Sequence, residues 1–236
     1  SKNWPAEKLY AEAKQELAAG GYERSVQLFE KLESRFPFGT YAQQAQLEIA
    51  YAYYKQGEAA QALAAVDRFI KLHPNHPNVD YMYYLRGLIN FNDDMGFLSF
   101  IANQDITERD PKATRDSFDA FKELVTQYPN SKYTPDALLR MKYLVNALAQ
   151  YDLHVAKYYL RRNAYLAAAN RAQSAIKEYP DAPANEEALV VLIKSYDAMG
   201  MKELRDDAKR VYEKNFPNST ALANGEKKKS WWKFWN

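Results

Sequence analysis

The fold is decided by the stretch Gly20-Gly-Tyr-Glu-Arg-Ser-Val-Gln-Leu-Phe-Glu-Lys-Leu-Glu-Ser-Arg-Phe-Pro37, because its distance from turn to proline recurs along the chain. The prolines that close such stretches are Pro37, Pro74, Pro129, Pro180 and Pro217. A helix-breaking turn lies 16 to 18 residues before each of them, at Gly20-Gly21, Gly57, Asp110-Pro111-Lys112, Arg162-Asn163 and Gly200. A fixed distance of this kind predicts a repeated helix-turn-helix unit that stacks into a solenoid. Since helical solenoids offer a concave groove, we expect the function to be binding.

Small residues recur at two positions of this repeat. Aligned on the prolines, the first-helix position is Ala13, Ala50 and Ala156, and the second-helix position is Ser25, Ala62, Ser117 and Ala168. Bulky residues on the flanks are Phe29, Tyr53, Phe69, Phe121, Tyr159, Tyr196 and Tyr212. Small residues facing large ones at helical spacing favour close antiparallel packing of short helices. The pattern is typical of the tetratricopeptide repeat and predicts an all-α solenoid of five units.

The predicted helices follow from the same frame. They are 6–19, 22–35, 41–56, 59–72, 79–92, 112–127, 134–162, 165–178, 184–199 and 202–215. The fifth unit is degenerate, since Arg205 stands where a small residue is expected, as suits a terminal unit.

Two breaks in the period divide the chain. About 18 residues are inserted near 92–111, with the apolar core Met95-Gly-Phe-Leu-Ser-Phe-Ile101, and we expect this insert to fold back on the body or to dock a partner. A second excess of 14 residues lengthens the first helix of unit four, which we expect to set the relative orientation of the two groups of repeats. We therefore predict N-terminal repeats over 1–131, C-terminal repeats over 132–217 and a tail over 218–236.

Composition excludes several classes of protein. The chain has 236 residues and no cysteine, which removes disulfides, thiolate metal sites and cysteine nucleophiles. Apart from residues 226–236, which hold four Lys and one Glu, the body has 28 basic and 29 acidic residues. This balance of charge does not indicate the basic surface with which proteins bind nucleic acid. No apolar run is long enough for a membrane span, and the start at Ser1 rather than Met leads us to expect a mature or trimmed sequence.

No motif indicates catalysis, a metal site or a cofactor. The three histidines, at 73, 76 and 154, lack metal-ligand spacing, and the segment Asn90-Phe-Asn-Asp-Asp-Met-Gly96 lacks the closing Glu of a calcium loop. There is no nucleophile elbow and no phosphate-binding glycine loop. We therefore expect a protein that is not an enzyme.

Two aromatic features are candidates for binding. Tyrosines crowd the helices 41–56 and 79–92; most should pack between helices, and the others, with Arg68 and Arg86 nearby, suit an extended peptide. The tail carries Trp231, Trp232, Phe234 and Trp235 after a basic run. Such a segment suits a bilayer interface, and it also suits packing on the last helix or docking to a protein.

The order of several short motifs resembles the BamD family, lipoproteins of the machine that assembles outer-membrane β-barrels. These motifs include Arg35-Phe-Pro-Phe-Gly39, Asp67-Arg-Phe-Ile70, Arg109-Asp-Pro111 and Tyr128-Pro-Asn-Ser131. They span roughly residues 6 to 217 and include both breaks in the period. The resemblance implies a lipid-anchored protein on the periplasmic face of the outer membrane, although the cysteine that would carry the lipid is absent from this sequence.

The resemblance also implies partners. In the family the C-terminal repeats bind the last POTRA domain of BamA, and Asn170-Arg171 matches the position of a contributing arginine. Other lipoproteins of the complex, such as BamC or BamE, are further expected partners. The N-terminal repeats are thought to receive signals of unfolded outer-membrane proteins, and groove geometry leads us to place that site at Phe38, Tyr41, Tyr54, Arg68 and Tyr84.

Two functions of different classes follow. The first is a non-enzymatic scaffold and substrate-recognition subunit of the assembly complex. The alternative is a periplasmic tetratricopeptide-repeat protein that binds peptidoglycan through its groove or its basic aromatic tail.

Overall fold

Helices account for all the regular structure that can be described in this chain. The computed structural model describes residues 3–91 and 111–222, which contain ten α-helices and no β-strand. The helices are α1 (Ala6–Ala18), α2 (Tyr22–Arg35), α3 (Thr40–Gln56), α4 (Ala59–Leu72), α5 (Val79–Phe91), α6 (Pro111–Gln127), α7 (Thr134–Arg161), α8 (Tyr165–Glu178), α9 (Asn185–Ala198) and α10 (Lys202–Asn215). Every end lies within one residue of its predicted position, so the prediction of five helix pairs is confirmed. The predicted insert near 92–111 lies outside the described residues, except for Pro111 at the start of α6.

The turn inside four of the five pairs has one backbone conformation. A residue in the left-handed region stands at Gly20, Gly57, Asn163 and Gly200, with φ of 82°, 78°, 60° and 72°. The residue that follows it has φ between −83° and −77° and ψ between 56° and 71°. Glycine adopts the left-handed region without steric cost, and asparagine is among the few other residues that tolerate it. This requirement is why the turns recur as glycine in the sequence.

Proline ends the second helix of each pair by a steric effect on the residue before it. Phe36, His73, Tyr179 and Phe216 have φ between −133° and −128° and ψ between 55° and 66°, outside the helical region. Their N–H groups still donate to the carbonyl oxygen four residues earlier, at 2.8 to 2.9 Å. The last turn is therefore satisfied although the helix stops.

The small residues predicted at the helix crossings are all fully buried. Relative exposure is 0% for Ala13, Ala50 and Ala156 in the first helices and for Ser25, Ala62, Ser117 and Ala168 in the second. Two of these crossings are also hydrogen-bonded. The Ser25 hydroxyl donates to the Ala13 carbonyl at 2.8 Å, and the Ser117 hydroxyl donates to the Gly87 carbonyl at 2.9 Å. Gly87 is thus the small first-helix residue of the third pair, which the sequence frame did not identify.

Bulky residues fill the space beside these crossings. Phe29, Phe69 and Phe121 are fully buried, and Tyr212 is nearly so. Tyr53 and Tyr196 are half-buried against the cores. Tyr159 differs from the prediction because it is exposed on the last turn of α7, where its ring meets that of Tyr158 edge-on.

The described residues form two compact units. The first contains α1 to α5, nearly all of α6 and the start of α7 as far as Met141, and the second contains the rest of α7 and α8 to α10. The cores of the first unit centre on Phe29 and Leu32 and on Phe69 and Leu85. The core of the second is lined by small residues of α8 and a run of branched residues on α9, from Leu189 to Ile193. Whereas the sequence placed a division at 131, the units divide at Met141 inside the long helix.

We predict that Gly87→Ala destabilises the first unit by about 1–3 kcal/mol, the range for overpacking a close crossing. A Cβ atom at position 87 would lie 2.4 Å from Cε1 of Phe121, too close for any stable contact. The better helix propensity of alanine offsets only part of this cost. Denaturant unfolding of the single variants and of the double variant with Phe121→Leu measures the effect. The smaller leucine should absorb the new methyl group, so the double variant should lose less stability than the sum of the singles; simple additivity would contradict the clash.

Candidate partner-binding surfaces

A tyrosine-lined cleft lies on the first unit. Its volume is about 310 Å³. Its walls are Leu47, Glu48 and Tyr51 from α3, Asn78 and Tyr81 around the start of α5, and Lys132 and Tyr133 just before α7. Aromatic faces with one acid and one base in the rim form a surface that can take an apolar side chain and hydrogen-bond its backbone.

One wall of this cleft is held rigid by a polar network. The rings of Tyr84 and Tyr133 stack with centroids 4.8 Å apart. The Tyr84 hydroxyl donates to Oδ2 of Asp136 at 2.6 Å, and Nε of Arg140 donates to the same oxygen at 2.6 Å. The Arg140 guanidinium also lies 4.8 Å from the centre of the Phe91 ring. The stack therefore rests on side chains of α5 and α7 that fix each other in place.

The network shifts the ionisation of its members. Burial and the hydrogen bond to Asp136 raise the pKa of Tyr84 to about 12. Burial also opposes ionisation of Asp136, but the hydrogen bonds from Tyr84 and Arg140 outweigh it and lower the pKa of that carboxyl. At neutral pH the tyrosine is thus a hydrogen-bond donor to a carboxylate.

The five residues predicted for a peptide groove occupy different environments. Phe38 is 91% exposed in the connection between α2 and α3. Tyr41 packs on the ring of Tyr10, with centroids 5.5 Å apart, and Tyr54 packs near Tyr51. Tyr84 belongs to the network beside the cleft. Arg68 forms an ion pair with Glu33 and so joins the second helices α2 and α4.

Glu48, Lys132 and Tyr133 are among the cleft residues that the sequence analysis did not select. Tyr133 and Lys132 lie in a connection that the repeat frame does not describe. The Tyr133 ring meets α5 at Tyr81 and Tyr84, with centroids 5.5 and 4.8 Å apart. The signal in the sequence was the high density of tyrosine, which indicated an aromatic surface without locating it.

The second unit has a partly exposed arginine, Arg171, whose guanidinium pairs with a buried carboxylate. Nη2 of Arg171 on α8 lies 2.6 Å from Oδ1 of Asp152 on α7. The Asp152 side chain is only 4% exposed, whereas that of Arg171 is 36% exposed. The guanidinium also lies 5.8 Å from the centre of the Tyr151 ring. The neighbouring Asn170 is exposed, and its place with Arg171 in a partner-binding patch stays a prediction.

The aromatic tail residues Trp231, Trp232, Phe234 and Trp235 lie outside the described residues. Among the described residues, no group of three or more His, Asp or Glu side chains is placed to hold a metal ion. None of the described helices combines the length and the apolar character needed to cross a membrane.

Comparison with known proteins identifies the family. The family model described as an outer membrane lipoprotein, YfiO, matches residues 2–211. The outer membrane protein assembly factor BamD of Neisseria meningitidis serogroup A, serotype 4A, is 50% identical over 238 aligned residues, which cover 100% of this chain and 89% of that protein. This chain belongs to the BamD family.

Other members of the BamD family match over most of their length. BamD of Neisseria gonorrhoeae is 49% identical, with 100% of this chain and 89% of that protein covered. BamD of Vibrio cholerae is 40% identical, with 89% of this chain and 88% of that protein covered. The resemblance to the BamD family that was stated from the sequence motifs is therefore confirmed. The predicted location at the outer membrane is confirmed as well.

Among solved structures, a chain of Podosopora anserina with nearly identical TPR-like repeats matches 89% of this chain and 95% of its own length. Its sequence identity is 13% and the TM-score is 0.40.

We predict that Asp136 gives the first unit a component of acid-sensitive stability. A carboxyl with a lowered pKa in the folded state stabilises the fold above its unfolded pKa of about 4, and this contribution is lost as the pH falls through the folded value. Asp136→Asn should therefore unfold at lower denaturant concentration than the wild type at pH 7, and the two should converge below about pH 4.

Denaturant midpoints measured from pH 7 down to pH 3 test this. Asp119→Asn, which removes an exposed carboxylate of α6, controls for the loss of one charge. A constant gap between wild type and Asp136→Asn across the range would show that the network acts by packing alone.

Proposed function

We propose that this chain is a non-enzymatic assembly factor that binds two kinds of protein partner. Its second unit binds the last POTRA domain of BamA, and its first unit receives signal segments of unfolded outer-membrane proteins. Membership of a family whose named members are outer membrane protein assembly factors supports the overall role. The tyrosine cleft on the first unit and the Arg171 patch on the second support assigning one kind of partner to each unit.

The anchored arginine is the observation that carries the BamA assignment. Because Asp152 holds one edge of the Arg171 guanidinium, the exposed part of the group is presented in one orientation. A preorganised arginine loses little side-chain freedom on binding, and arginine is enriched at the centres of protein interfaces. Asn170 beside it adds an amide that can both donate and accept hydrogen bonds. A carboxylate on the partner would complement this patch.

Direct substitution of Arg171 mixes two effects, because it removes the partner of a buried carboxylate. Loss of the arginine would take a charged partner from the buried Asp152 carboxylate and so destabilise the fold. Arg171→Glu would place two carboxylates together and add repulsion. A clean test therefore changes the exposed neighbour and leaves the Asp152 pair intact.

We predict that Asn170→Glu weakens binding to the isolated POTRA region of the cognate BamA by at least about tenfold, while the denaturation midpoint stays that of the wild type. The added carboxylate would oppose the complementary charge that we expect on the partner. Isothermal titration of the full chain measures the affinity.

The matched control is Gln61→Glu, which adds the same charge at an exposed helical position of the first unit, away from the helix that carries Arg171. Binding should change much less in this variant. Equal losses in both variants would indicate a general charge effect, and wild-type affinity in Asn170→Glu would remove this patch from the interface.

The tyrosine cleft supports the assignment of the first unit. An extended peptide needs pockets for alternate side chains and donors or acceptors for its backbone. Tyr51, Tyr81 and Tyr133 supply aromatic faces, and Lys132 and Glu48 supply opposite charges in the rim. Of the five residues predicted from the sequence, Tyr84 is the one linked to this cleft, through its stack on Tyr133. Phe38, Tyr41, Tyr54 and Arg68 stay predictions.

We predict that Tyr133→Ala lowers the affinity for a labelled peptide with the C-terminal strand sequence of an outer-membrane β-barrel protein. Loss of one aromatic wall should weaken binding by about 5- to 30-fold, as for other aromatic contacts worth about 1–2 kcal/mol. Fluorescence anisotropy with the full chain measures it. Arg68→Ala is the comparison, because Arg68 joins the second helices instead of lining the cleft. A loss confined to Arg68→Ala would move the peptide site away from the cleft.

A further inference from the structure

Two hydrogen-bond donors that line the tyrosine cleft have no partner in the part of the chain that the structure describes. The Lys132 side chain forms no ion pair or hydrogen bond with a described residue, and its ammonium lies 5.0 Å from the centre of the Tyr133 ring. The hydroxyl of Tyr81 likewise has no described hydrogen-bond partner. Burial raises the pKa of Tyr81, so this hydroxyl keeps its proton at neutral pH. The cleft therefore offers a ligand one positive charge and one neutral donor.

The acid in the cleft wall is already balanced by a base outside it. Among the described residues that line the cleft, Glu48 is the only acid. Nζ of Lys14 lies 2.6 Å from its Oε1, and the Tyr10 hydroxyl donates to the same oxygen at 3.5 Å. The Glu48 side chain is only 21% exposed. Glu48 therefore adds little net negative charge to the cleft, and it leaves the charge of Lys132 uncompensated.

Two further carboxylates lie close to the cleft without lining it, and both are engaged. Oδ2 of Asp80 accepts the hydroxyl of Ser131 at 2.6 Å. Asp80 also stands in the first turn of α5, where the positive end of the helix dipole offsets part of its charge. Asp136 forms an ion pair with Arg140 at 2.6 Å. An anionic group on a ligand would therefore find its complement at Lys132.

The size and the walls of the cleft limit what can enter it. A volume of about 310 Å³ is at the lower end of the range for ligand pockets, so the cleft suits one side chain and not a length of strand. Tyr51, Tyr81 and Tyr133 give it aromatic walls, which favour an aromatic ring. The last residue of a chain carries its side chain and a carboxylate on one Cα atom. Such a residue can fill the cleft and offer a carboxylate to its rim, where an internal residue has an uncharged amide.

We propose that Lys132 makes the cleft selective for the free C-terminal end of a peptide whose last residue is aromatic. This inference rests on the proposed function, in which the first unit receives peptide segments. The aromatic ring lies among the tyrosines, and the terminal carboxylate accepts a hydrogen bond from the Lys132 ammonium. Lys132 is then a specificity-determining residue, because a segment from the middle of a chain has no carboxylate to offer it.

The test compares two peptides with the same strand sequence ending in phenylalanine, one with a free C-terminal carboxylate and one with a C-terminal amide. Both carry the fluorescent label at the N-terminus, and anisotropy with the full chain at low salt gives the affinities. The wild type should bind the free acid about two- to fivefold more tightly, as expected for a partly exposed ion pair. Lys132→Gln should bind both peptides with the affinity that the wild type has for the amide. Because Lys132 is exposed, this variant should keep the wild-type denaturation midpoint.

The matched control is Lys122→Gln, which removes an exposed lysine of α6 that does not line the cleft and should keep the preference for the free acid. Equal wild-type affinity for the two peptides, with binding still weakened by Tyr133→Ala, would overturn the selectivity and leave the peptide cleft in place. A third peptide has the amide and a glutamate before the last phenylalanine. If it binds as tightly as the free acid and loses this gain in Lys132→Gln, the claim for the chain end is wrong. Failure of all three peptides to bind would overturn the peptide cleft as well.

Discussion

The structure depends on how closely the two helices of each pair approach one another. Full burial of Ala13 with Ser25, Ala50 with Ala62 and Ala156 with Ala168 shows that neither helix has room for a larger side chain at the crossing. At two crossings a serine hydroxyl spans the gap and donates to a carbonyl of the partner helix. In four of the five pairs a left-handed turn joins the two helices and a proline follows the second helix, and together they hold the pair in register. The flanking aromatic residues can be large only because the crossing itself is small.

This framework explains why the two proposed binding surfaces are rich in tyrosine and arginine. The small crossing residues bury little area, so aromatic rings beside them supply much of the apolar contact. Tyrosine can do this while keeping its hydroxyl in a polar network, as Tyr84 does with Asp136 and Arg140. The same logic holds for Arg171, whose charge is balanced by Asp152 within the unit and still reaches the surface. The side chains that we propose as partner contacts therefore also make structural contacts within the protein.

The sequence predicts the helices well because their limits are set by local chemistry. A glycine or asparagine that must adopt positive φ and a proline that excludes helix before it both act within a few residues. Gly87 was missed because the inserted residues after α5 shift the proline frame away from it. The Tyr84–Tyr133 stack and the Arg171–Asp152 pair were also missed, since each joins residues from different helices or connections. Tertiary packing decides which residues meet in these contacts, and no local sequence pattern predicts it.

The crossing at Gly87 also links the residues that positions 87 and 121 can accept. With Phe121 in place, any side chain at position 87 overlaps its ring. A smaller residue at position 121 would first leave a cavity, and only then could position 87 accept a methyl group. A protein with a larger residue at position 87 and a smaller one at position 121 can be reached in two orders. One order passes through a variant with overlapping side chains, and the other passes through a variant with a cavity. Both intermediates lose stability, one through overlap and the other through a cavity, so substitutions at positions 87 and 121 are energetically coupled and each changes what the other position can accept.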